Sequence, residues 1–304
     1  MRIAFVTAPP ETIGHDDEDR PHHEAAAAAA GWDLEYCVWS DPGVAWEDFD
    51  LVVVRSTWDY VDRYAAFVDW VARVGRLGTL ENPAGALVWS LDKRYLVDLA
   101  GLGLPVVAGT VCRNPQAVRR ALEAADGEVV VKPVVSAGSA RTGRFAPGDP
   151  QAAVLADSIV ASGVAALVQP AVASLASVGE SSTVVIDGRI SHSVRKGPIL
   201  ALGGGLVGGA YAERITSERP SPSVRHLVEQ TVEAVDRVMA ARAWAHGPLL
   251  YARIDVAELD DGSPAVLEVE LAEPALFLDA APGAAERFGK AVAARAARNA
   301  ARRR

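Results

Sequence analysis

Residues 266–274 read VLEVELAEP, an apolar run typical of a buried strand, yet Glu268 and Glu270 alternate with its apolar side chains. Residues two apart on a strand point to the same face and lie about 7 Å from each other. Two ionised carboxylates at that distance repel by about 2 kcal/mol at an effective dielectric constant of about 20, and burial adds a desolvation cost. A cation bound between the two carboxylates would make the arrangement tolerable.

The preceding strand adds a third carboxylate. In YARIDV (251–256), Arg253 and Asp255 share one face while the apolar side chains share the other. An Asp-Asp-Gly turn separates the two strands, so pairing around it brings Asp255 close to Glu268 and Glu270. Three carboxylates on one sheet face are the hard oxygen ligands that Mg²⁺ and Mn²⁺ prefer. A solvent-facing strand with acidic decoration would explain the alternation, but it explains the adjacent Arg-x-Asp strand less well.

A lysine and a loop of small residues in the middle of the chain suit phosphate binding. Lys132 interrupts the apolar strand EVVVKPVV (128–135), where a lysine is out of place unless it meets an anion. The loop SAGSARTGR (136–144) follows, and its small residues let backbone amides approach a phosphate closely. A lysine that extends to solvent from a strand end is the alternative interpretation. Lys93 lies in SLDKRYLVDLAGLGLPV (90–106), which the pattern predicts to be one helix, and nothing local distinguishes it.

The N-terminal part of the chain alternates between strands and helices. The predicted strands are IAFVTA (3–8), LEYCVW (34–39) and DLVVVRS (50–56), and the predicted helices are PHHEAAAAAAGW (21–32) and RYAAFVDWVARVG (63–75). This alternation indicates an open α/β layer, whose ligands bind beyond the carboxyl ends of the strands. The segment RSTWDY (55–60) lies at such an end. Downstream, the pattern predicts hairpins over 180–196 and 249–271 and a helix from about 222 to 242.

The composition restricts the class of protein. A chain of 304 residues suits about two domains, and its net charge of −9 argues against a nucleic-acid binder. The cysteines, Cys37 and Cys112, lack metal-site spacing and suit a reduced, cytoplasmic protein. The sequence has no apolar run of about 18 residues, so no membrane span is expected. GGGLVG (203–208) matches the dinucleotide pattern formally, but it does not open a helix after a first strand, which argues against that function.

Taken in order, the motifs resemble those of the ATP-grasp superfamily, and the resemblance spans essentially the whole chain. The motifs are LDK (91–93), VVVKP (129–133), VQPAV (168–172), GESS (179–182), RID (253–255) and LEVE (267–270). The resemblance implies a fold of mixed α/β and α+β class. Its expected parts are an N-terminal Rossmann-like open sheet over 1–88, a small central lid subdomain over 89–170 and a C-terminal α+β subdomain over 171–304.

The same resemblance implies roles for individual residues. Those expected to bind ATP are Lys93, Lys132, Ser139, Gln169, Val172 and Glu180. Those expected to bind one or two Mg²⁺ ions, or Mn²⁺, are Asp255, Glu268 and Glu270. The family commonly has Asn at the last metal position, where this chain has Glu270. That difference argues against a close relation to the dipeptide and glutathione ligases.

Within the superfamily, RSTWDY (55–60) and ELAEPALFL (270–278) are similar to the cyclo-ligases that make cycloserine from O-ureido-serine. The substrate-binding residues implied are Arg55, Tyr60, Gly205 and Glu273, and the catalytic ones are Arg253, Arg195 and Lys196.

Three interpretations stay open. Trp58 either reaches the substrate, as a strand extension with Tyr60 would allow, or packs inside. Arg195 and Lys196 either grip the substrate carboxylate or are solvated strand ends. Glu273 should face away from Glu268 and Glu270, as a substrate-side or structural carboxylate.

The resemblance implies an ATP-dependent carboxylate–nitrogen ligase that acts through an acyl phosphate. The expected reaction converts O-ureido-D-serine to D-cycloserine and releases ADP, phosphate, CO₂ and ammonia. The expected partners are ATP and a small amino-acid-like carboxylate, without nucleic acid or membrane, and self-association is left open. The alternatives are an intermolecular amide or peptide ligase, a small-molecule kinase, a nucleotide sensor, and a dehydrogenase that uses the glycines of 203–208.

Overall fold

The first layer of the molecule is a parallel sheet. In the computed structural model, which describes residues 1–12, 17–207, 213–244 and 247–302, it contains β1 Arg2–Thr7, β2 Asp33–Val38, β3 Leu51–Ser56 and β4 Leu80–Glu81, with α1 Arg20–Ala30 and α2 Tyr64–Gly75 beside it. The strand order is β2-β1-β3-β4. Every residue of β3 is buried, as its continuous apolar sequence predicts for a parallel strand. Helix α1 ends at Gly31, whose φ of 69° gives the left-handed conformation typical of a helix end.

The second layer is a small antiparallel sheet covered by two helices. Two short helices lead into it, α3 Ala84–Ser90 and α4 Tyr95–Gly101. Its strands are β5 Thr110–Cys112, β6 Val129–Pro133, β7 Gly143–Phe145 and β8 Ala166–Pro170, and its helices are α5 Pro115–Glu123 and α6 Pro150–Ala161. The strand order is β5-β8-β6-β7. Side chains of β6 and α6 share one apolar core, so the opposite face of the sheet is free to line a site.

The third layer is a five-stranded sheet built from two hairpins and an edge strand. Its elements are α7 Ala173–Ser177, β9 Glu180–Ile186, β10 Arg189–Lys196, β11 Ile215–Glu218, α8 Pro222–Ala241, β12 Tyr251–Glu258 and β13 Pro264–Glu270. The strand order is β11-β10-β9-β12-β13. Asp187 and Gly188 connect β9 to β10 with φ values of 48° and 72°, as a tight two-residue turn requires. Both predicted hairpins and the predicted helix, α8, are therefore confirmed.

The last helix returns to the first layer. Helix α9 Ala284–Arg302 packs against α1, and its Phe288 shares a core with Phe5 of β1. Each sheet lies within one of the three predicted segments, whose boundaries at 88 and 170 stay a prediction. Within the described ranges, no helix combines the length and the apolar character that a membrane crossing requires.

Two local predictions are wrong. Residues 90–106 do not form one helix, because the Asp92 carboxylate accepts a hydrogen bond from the Arg94 backbone N–H at 3.0 Å and closes a turn between α3 and α4. Lys93 therefore lies in a turn. Trp58 and Tyr60 do not extend β3, since Trp58–Val61 is a short 3₁₀ helix. Both errors come from side-chain and turn bonds that compete with regular structure just beyond an element's end.

Candidate active site

A cavity of about 910 Å³ lies where the three sheets meet. It is bounded by the residues that follow β3, by one face of the β6 sheet and by the β12–β13 hairpin. Most of the predicted site residues line it: Tyr60, Lys93, Lys132, Ser139, Gln169, Val172, Glu180, Lys196, Arg253, Glu268, Glu270 and Glu273. The fold thus brings together residues that are up to about 210 positions apart in the sequence.

The β12–β13 hairpin brings three carboxylates together. Its register pairs Asp255 with Glu268 and Arg253 with Glu270. One oxygen from each of Asp255, Glu268 and Glu270 lies within 4.8 Å of the other two. Oxygen ligands on opposite sides of an octahedral Mg²⁺ ion lie about 4.2 Å apart, so a small inward movement would let these oxygens share an ion. The donor set therefore fits a hard divalent cation.

Basic side chains neutralise these carboxylates. Lys132 Nζ lies 2.8 Å from Glu268 Oε1, and Lys93 Nζ lies 3.8 Å from the same oxygen. The Arg253 guanidinium donates to the two Asp255 oxygens, at 2.9 and 3.0 Å, and also to Glu270. The repulsion expected between Glu268 and Glu270 is therefore offset by side chains of the protein itself.

Lys196 joins this cluster to the Glu180 end of the cavity. Its Nζ lies 2.6 Å from Glu180, 3.3 Å from Glu213 and 3.9 Å from Asp255. Burial alone would lower the pKa of Lys196, but these carboxylates outweigh it and hold the pKa well above its usual value. Lys196 is therefore a fixed positive charge between the Glu180 and Asp255 carboxylates.

The two strand glutamates titrate differently, although burial favours the neutral form of each. For Glu268, the positive charges of Lys132 and Lys93 outweigh burial and hold the pKa below its usual value. For Glu270, burial outweighs the favourable charge of Arg253 and, together with the negative charges of Asp255 and Glu268, raises the pKa to about 7. Glu270 is thus the strand glutamate whose ionisation depends more on an added cation.

The small-residue loop after β6 forms another wall of the cavity. Lys93 Nζ donates to the backbone and side-chain oxygens of Ser136, at 3.2 and 3.1 Å. Arg141 donates to Ser158 O at 2.8 Å and so fixes the loop to the end of α6. Ser139, with a φ of 56°, lines the cavity between these two attachments. The loop is therefore held in place on both sides of Ser139.

Four predicted site residues do not line the cavity: Arg55, Arg195, Gly205 and Asp255, of which Asp255 is buried against Arg253 next to the cavity-lining Glu268. Arg55 is 1% exposed, donates to Pro274 O at 2.8 Å and lies 3.7 Å from Asp19, so it does not line the cavity. Arg195 pairs with Glu218 on the face of the sheet opposite Lys196, because neighbouring strand residues point to opposite faces. The structure therefore places Lys196, but not Arg195, at the cavity.

The glycine-rich loop rests on the second sheet. The backbone N–H groups of Gly203 and Gly204 both donate to Arg144 O, at 2.9 and 3.1 Å. Gly205 does not line the cavity, contrary to its predicted substrate contact. The last two residues of the predicted loop, 208 and 209, lie outside the described residues. The described part of this loop therefore connects the second and third layers.

Glu273 faces the cavity, contrary to the prediction that it points away from Glu268 and Glu270. Strand β13 ends at Glu270, so the alternation of faces does not continue to residue 273. The Tyr60 hydroxyl donates to Ser136 O at 3.4 Å and lies close enough to the Glu273 carboxylate to lower its pKa, and the Glu273 backbone carbonyl accepts a hydrogen bond from Trp58 Nε1 at 3.2 Å. Both Trp58 and Tyr60 line the cavity from the first layer.

The sequence patterns missed the buried polar residues that hold the segment after β13. The Asp19 carboxylate accepts hydrogen bonds from the backbone N–H groups of Leu276 and Leu278, at 2.6 and 2.8 Å. The Asn82 side chain donates to Leu271 O at 2.9 Å. Asp19 stands immediately before α1, where an acidic residue is ordinarily interpreted as a cap, yet its side chain makes no capping bond. Its sequence position therefore gave no signal of its real partners.

Comparisons with known proteins agree with these features. The family model described as the N-terminal domain of D-cycloserine synthetase DcsG matches residues 3–82. The chain is 34% identical to the cycloserine biosynthesis protein DcsG of Streptomyces lavendulae over 293 residues, which cover 92% of this chain and 94% of that protein. A crystal structure of D-cycloserine synthetase DcsG matches with a TM-score of 0.88 and 32% identity, over 97% of this chain and 100% of that one.

More distant structures share the fold alone. D-alanine–D-alanine ligase from Bacillus anthracis matches with a TM-score of 0.67 and 13% identity, over 98% of both chains. The ATP-grasp ligase PsnB matches with a TM-score of 0.61 and 19% identity, over 97% of this chain and 98% of that one. The predicted fold class is thus confirmed. The chain therefore belongs to the DcsG family of ATP-grasp ligases, and it is an enzyme that forms a carbon–nitrogen bond.

Proposed function

We propose that the protein is an ATP-dependent cyclo-ligase that converts O-ureido-D-serine to D-cycloserine. The observation that carries this proposal is the 34% identity to the cycloserine biosynthesis protein DcsG over 92% of the chain. The cavity chemistry supports it, since a group of carboxylates beside Lys93 and Lys132 suits a nucleotide with its metal ion.

The nucleotide would lie between the second and third layers. Lys93, Lys132 and Ser139 would hold its phosphates, the segment from Gln169 to Val172 its adenine, and Glu180 its ribose. The residues that would hold Mg²⁺ are Asp255, Glu268 and Glu270, and the ion would neutralise phosphate charge and orient the γ-phosphoryl group. A related PsnB complex contains Mg and ADP, which supports the same ligands here.

The substrate carboxylate would be activated before ring closure. An oxygen of this carboxylate attacks the γ-phosphorus of ATP, the bond from that phosphorus to ADP breaks, and an acyl phosphate forms. The nitrogen bonded to the side-chain oxygen then attacks the acyl carbon, expels phosphate and closes the isoxazolidinone ring. Arg253 would stabilise the oxyanion formed in this step. One water molecule then removes the carbamoyl group as CO₂ and ammonia.

An ADP-release assay over small amino-acid-like carboxylates tests the proposal. O-ureido-D-serine should give ADP, phosphate and, by mass spectrometry, cycloserine, all dependent on Mg²⁺. AMP as the product would overturn the proposal. A phosphorylated substrate that accumulates without a ring would indicate a kinase instead, and a product joined to a second amine would indicate an intermolecular ligase.

A matched pair of variants tests which side of β10 serves the cavity. Lys196→Met should lower kcat/KM by about 30-fold, because it removes a buried charge that contacts three carboxylates. Arg195→Met, on the neighbouring residue of the same strand, should stay within about twofold of the wild type, because the half-buried Arg195–Glu218 pair lies on the face of the sheet opposite the cavity. Equal losses in the two variants would contradict the assignment of Lys196.

A further inference from the structure

The third sheet and the segment after β13 form one side of the cavity, which we call the third-layer wall. Glu273 differs from the other carboxylates of this wall in its electrostatic partners. Those that have a Lys or Arg nitrogen within 4.0 Å are Glu180, Glu213, Asp255, Glu268 and Glu270. Among the residues that the structure describes, none places such a nitrogen within 4.0 Å of Glu273. Glu273 is nevertheless only 8% exposed. An ionised carboxylate that is buried without a cation is costly, so this position favours a positively charged ligand.

The backbone around Glu273 is fixed by groups from other parts of the fold. Trp58 Nε1 donates to Glu273 O at 3.2 Å, and Arg55 donates to Pro274 O at 2.8 Å. Arg253 donates to Ala275 O at 3.3 Å. The Tyr251 hydroxyl donates to Ala272 O at 2.8 Å, so the main chain is held before and after Glu273, and its carboxylate faces the cavity in a preorganised position.

We propose that the Glu273 carboxylate, beside the Tyr60 side chain, binds the α-ammonium group of the substrate and thereby selects α-amino acids over carboxylates that lack the amine. This inference rests on the proposed function, in which the substrate carboxylate is activated beside Arg253 and Glu270. The α-nitrogen of an amino acid lies about 2.5 Å from its carboxyl carbon, so its amine must bind close to that place. Glu273, three residues after Glu270, lines the same cavity.

Other acidic residues of the cavity are less suited to this role. Asp59 accepts a hydrogen bond from Trp39 Nε1 at 2.7 Å and lies 3.8 Å from Arg63, so it already has partners. Glu18 and Asp62 are exposed, and water would screen their charge. Asp17 lines the cavity and is half-buried; its Oδ1 already accepts a hydrogen bond from the Asp19 backbone N–H at 3.1 Å, but its Oδ2 is buried without a hydrogen-bond partner, which makes it the competing carboxylate that the test must compare.

Equilibrium binding tests the inference without depending on turnover. Calorimetric titrations of the protein, saturated with Mg²⁺ and a non-hydrolysable ATP analogue, would compare O-ureido-D-serine with 3-(ureidooxy)propanoic acid, which lacks only the amine. The wild type should bind the amino acid about 100-fold more tightly. Glu273→Gln should reduce this preference to below about tenfold, Tyr60→Phe should reduce it about fivefold, and Asp17→Asn should leave it unchanged.

Each outcome supports or overturns the inference. If Glu273→Gln weakens both ligands equally, or if the preference disappears in Asp17→Asn instead, Glu273 does not recognise the amine. Should Glu273→Gln fail to fold, an unchanged preference in Tyr60→Phe would overturn the inference by itself. Amine-dependent binding without cycloserine formation would contradict the proposed function and leave this inference standing, whereas no binding of either ligand would overturn the inference.

Discussion

The two ends of the third-layer wall balance their charges in opposite ways. At the hairpin end, Glu268 and Asp255 are held by lysines and Arg253, and the pKa of each lies below its usual value because these cations outweigh burial. At the end near the first layer, burial, helped by the charge of Glu270, raises the pKa of Glu273 to about 7.

The contrast indicates two ways in which one cavity can prepare for two ligands. Where the ligand combines a cation with phosphates, as MgATP does, the protein can hold its own ion pairs and exchange partners on binding. Where the ligand brings an ammonium group, an unpaired carboxylate is sufficient. In both cases the site avoids strong repulsion between carboxylates before its ligand binds. This explains how Glu268 and Glu270 are tolerated on the same face of β13.

The largest expected effect comes from breaking the hairpin end. Glu270→Gln should lower kcat/KM at 1 mM Mg²⁺ by about 100-fold or more, since an amide is a weaker ligand for a hard cation than a carboxylate. Higher Mg²⁺ should restore part of the activity. Steady-state ADP release over a range of Mg²⁺ concentrations is the measurement.

Glu258→Gln is a suitable control, because Glu258 is exposed at the far end of β12. It should behave as the wild type does. If Glu270→Gln has full activity at every Mg²⁺ concentration, Glu270 does not bind the metal ion. The hairpin end would then not be a metal site, and the contrast between the two ends would be wrong.

The sequence predicted what depends on local periodicity. The turn at Asp187-Gly188 and the convergence of Asp255 with Glu268 and Glu270 follow from strand alternation and turn chemistry, and both are confirmed. The same alternation could also have separated Arg195 from Lys196, since adjacent residues on a strand cannot both face one cavity. That error came from treating two neighbouring cations as one feature.

The remaining errors concern contacts that no local pattern contains. Arg55 is at the end of a strand where ligands commonly bind, but its partners, Asp19 and Pro274, lie 36 and 219 residues away in sequence. Glu273 faces the cavity because β13 ends at Glu270 and the chain is then held by side chains from the first layer. Such positions depend on how the layers pack, which periodicity does not encode.

Lys132 of β6, which pairs with Glu268 at the hairpin end, should compete with the metal ion for the Glu268 carboxylate when no nucleotide is present. Lys132→Met removes the 2.8 Å partner of Glu268 and leaves Lys93, whose Nζ lies 3.8 Å away. We therefore expect Mn²⁺ alone to bind about tenfold more tightly to the variant, while ATP binds more weakly. Mn²⁺ titration followed by electron paramagnetic resonance measures the first effect directly.

Lys290→Met provides the control, since Lys290 pairs with Glu286 on the exposed side of α9 and is remote from the cavity. Its Mn²⁺ affinity should equal that of the wild type. An affinity for Mn²⁺ that is unchanged or weaker in Lys132→Met would show that Lys132 does not occupy the place of the cation.

The smallest effect should appear in the pH dependence at the Glu273 end. With a pKa of about 7, Glu273 is mostly neutral at pH 6 and mostly ionised at pH 8, so the KM for the amino acid should fall about fivefold over that range. The groups that act on Glu273 are Glu270, which raises its pKa, and Tyr60 and Lys93, which lower it.

Because the pKa of Glu270 is also about 7, only the Glu273→Gln variant separates the contributions of the two carboxylates. In Glu273→Gln the KM for the amino acid should no longer change with pH, whereas the Mg²⁺ requirement, which depends on Glu270, should still change. The same pH profile for the amino-acid KM in both proteins would assign that dependence to Glu270 and remove the contrast between the two ends.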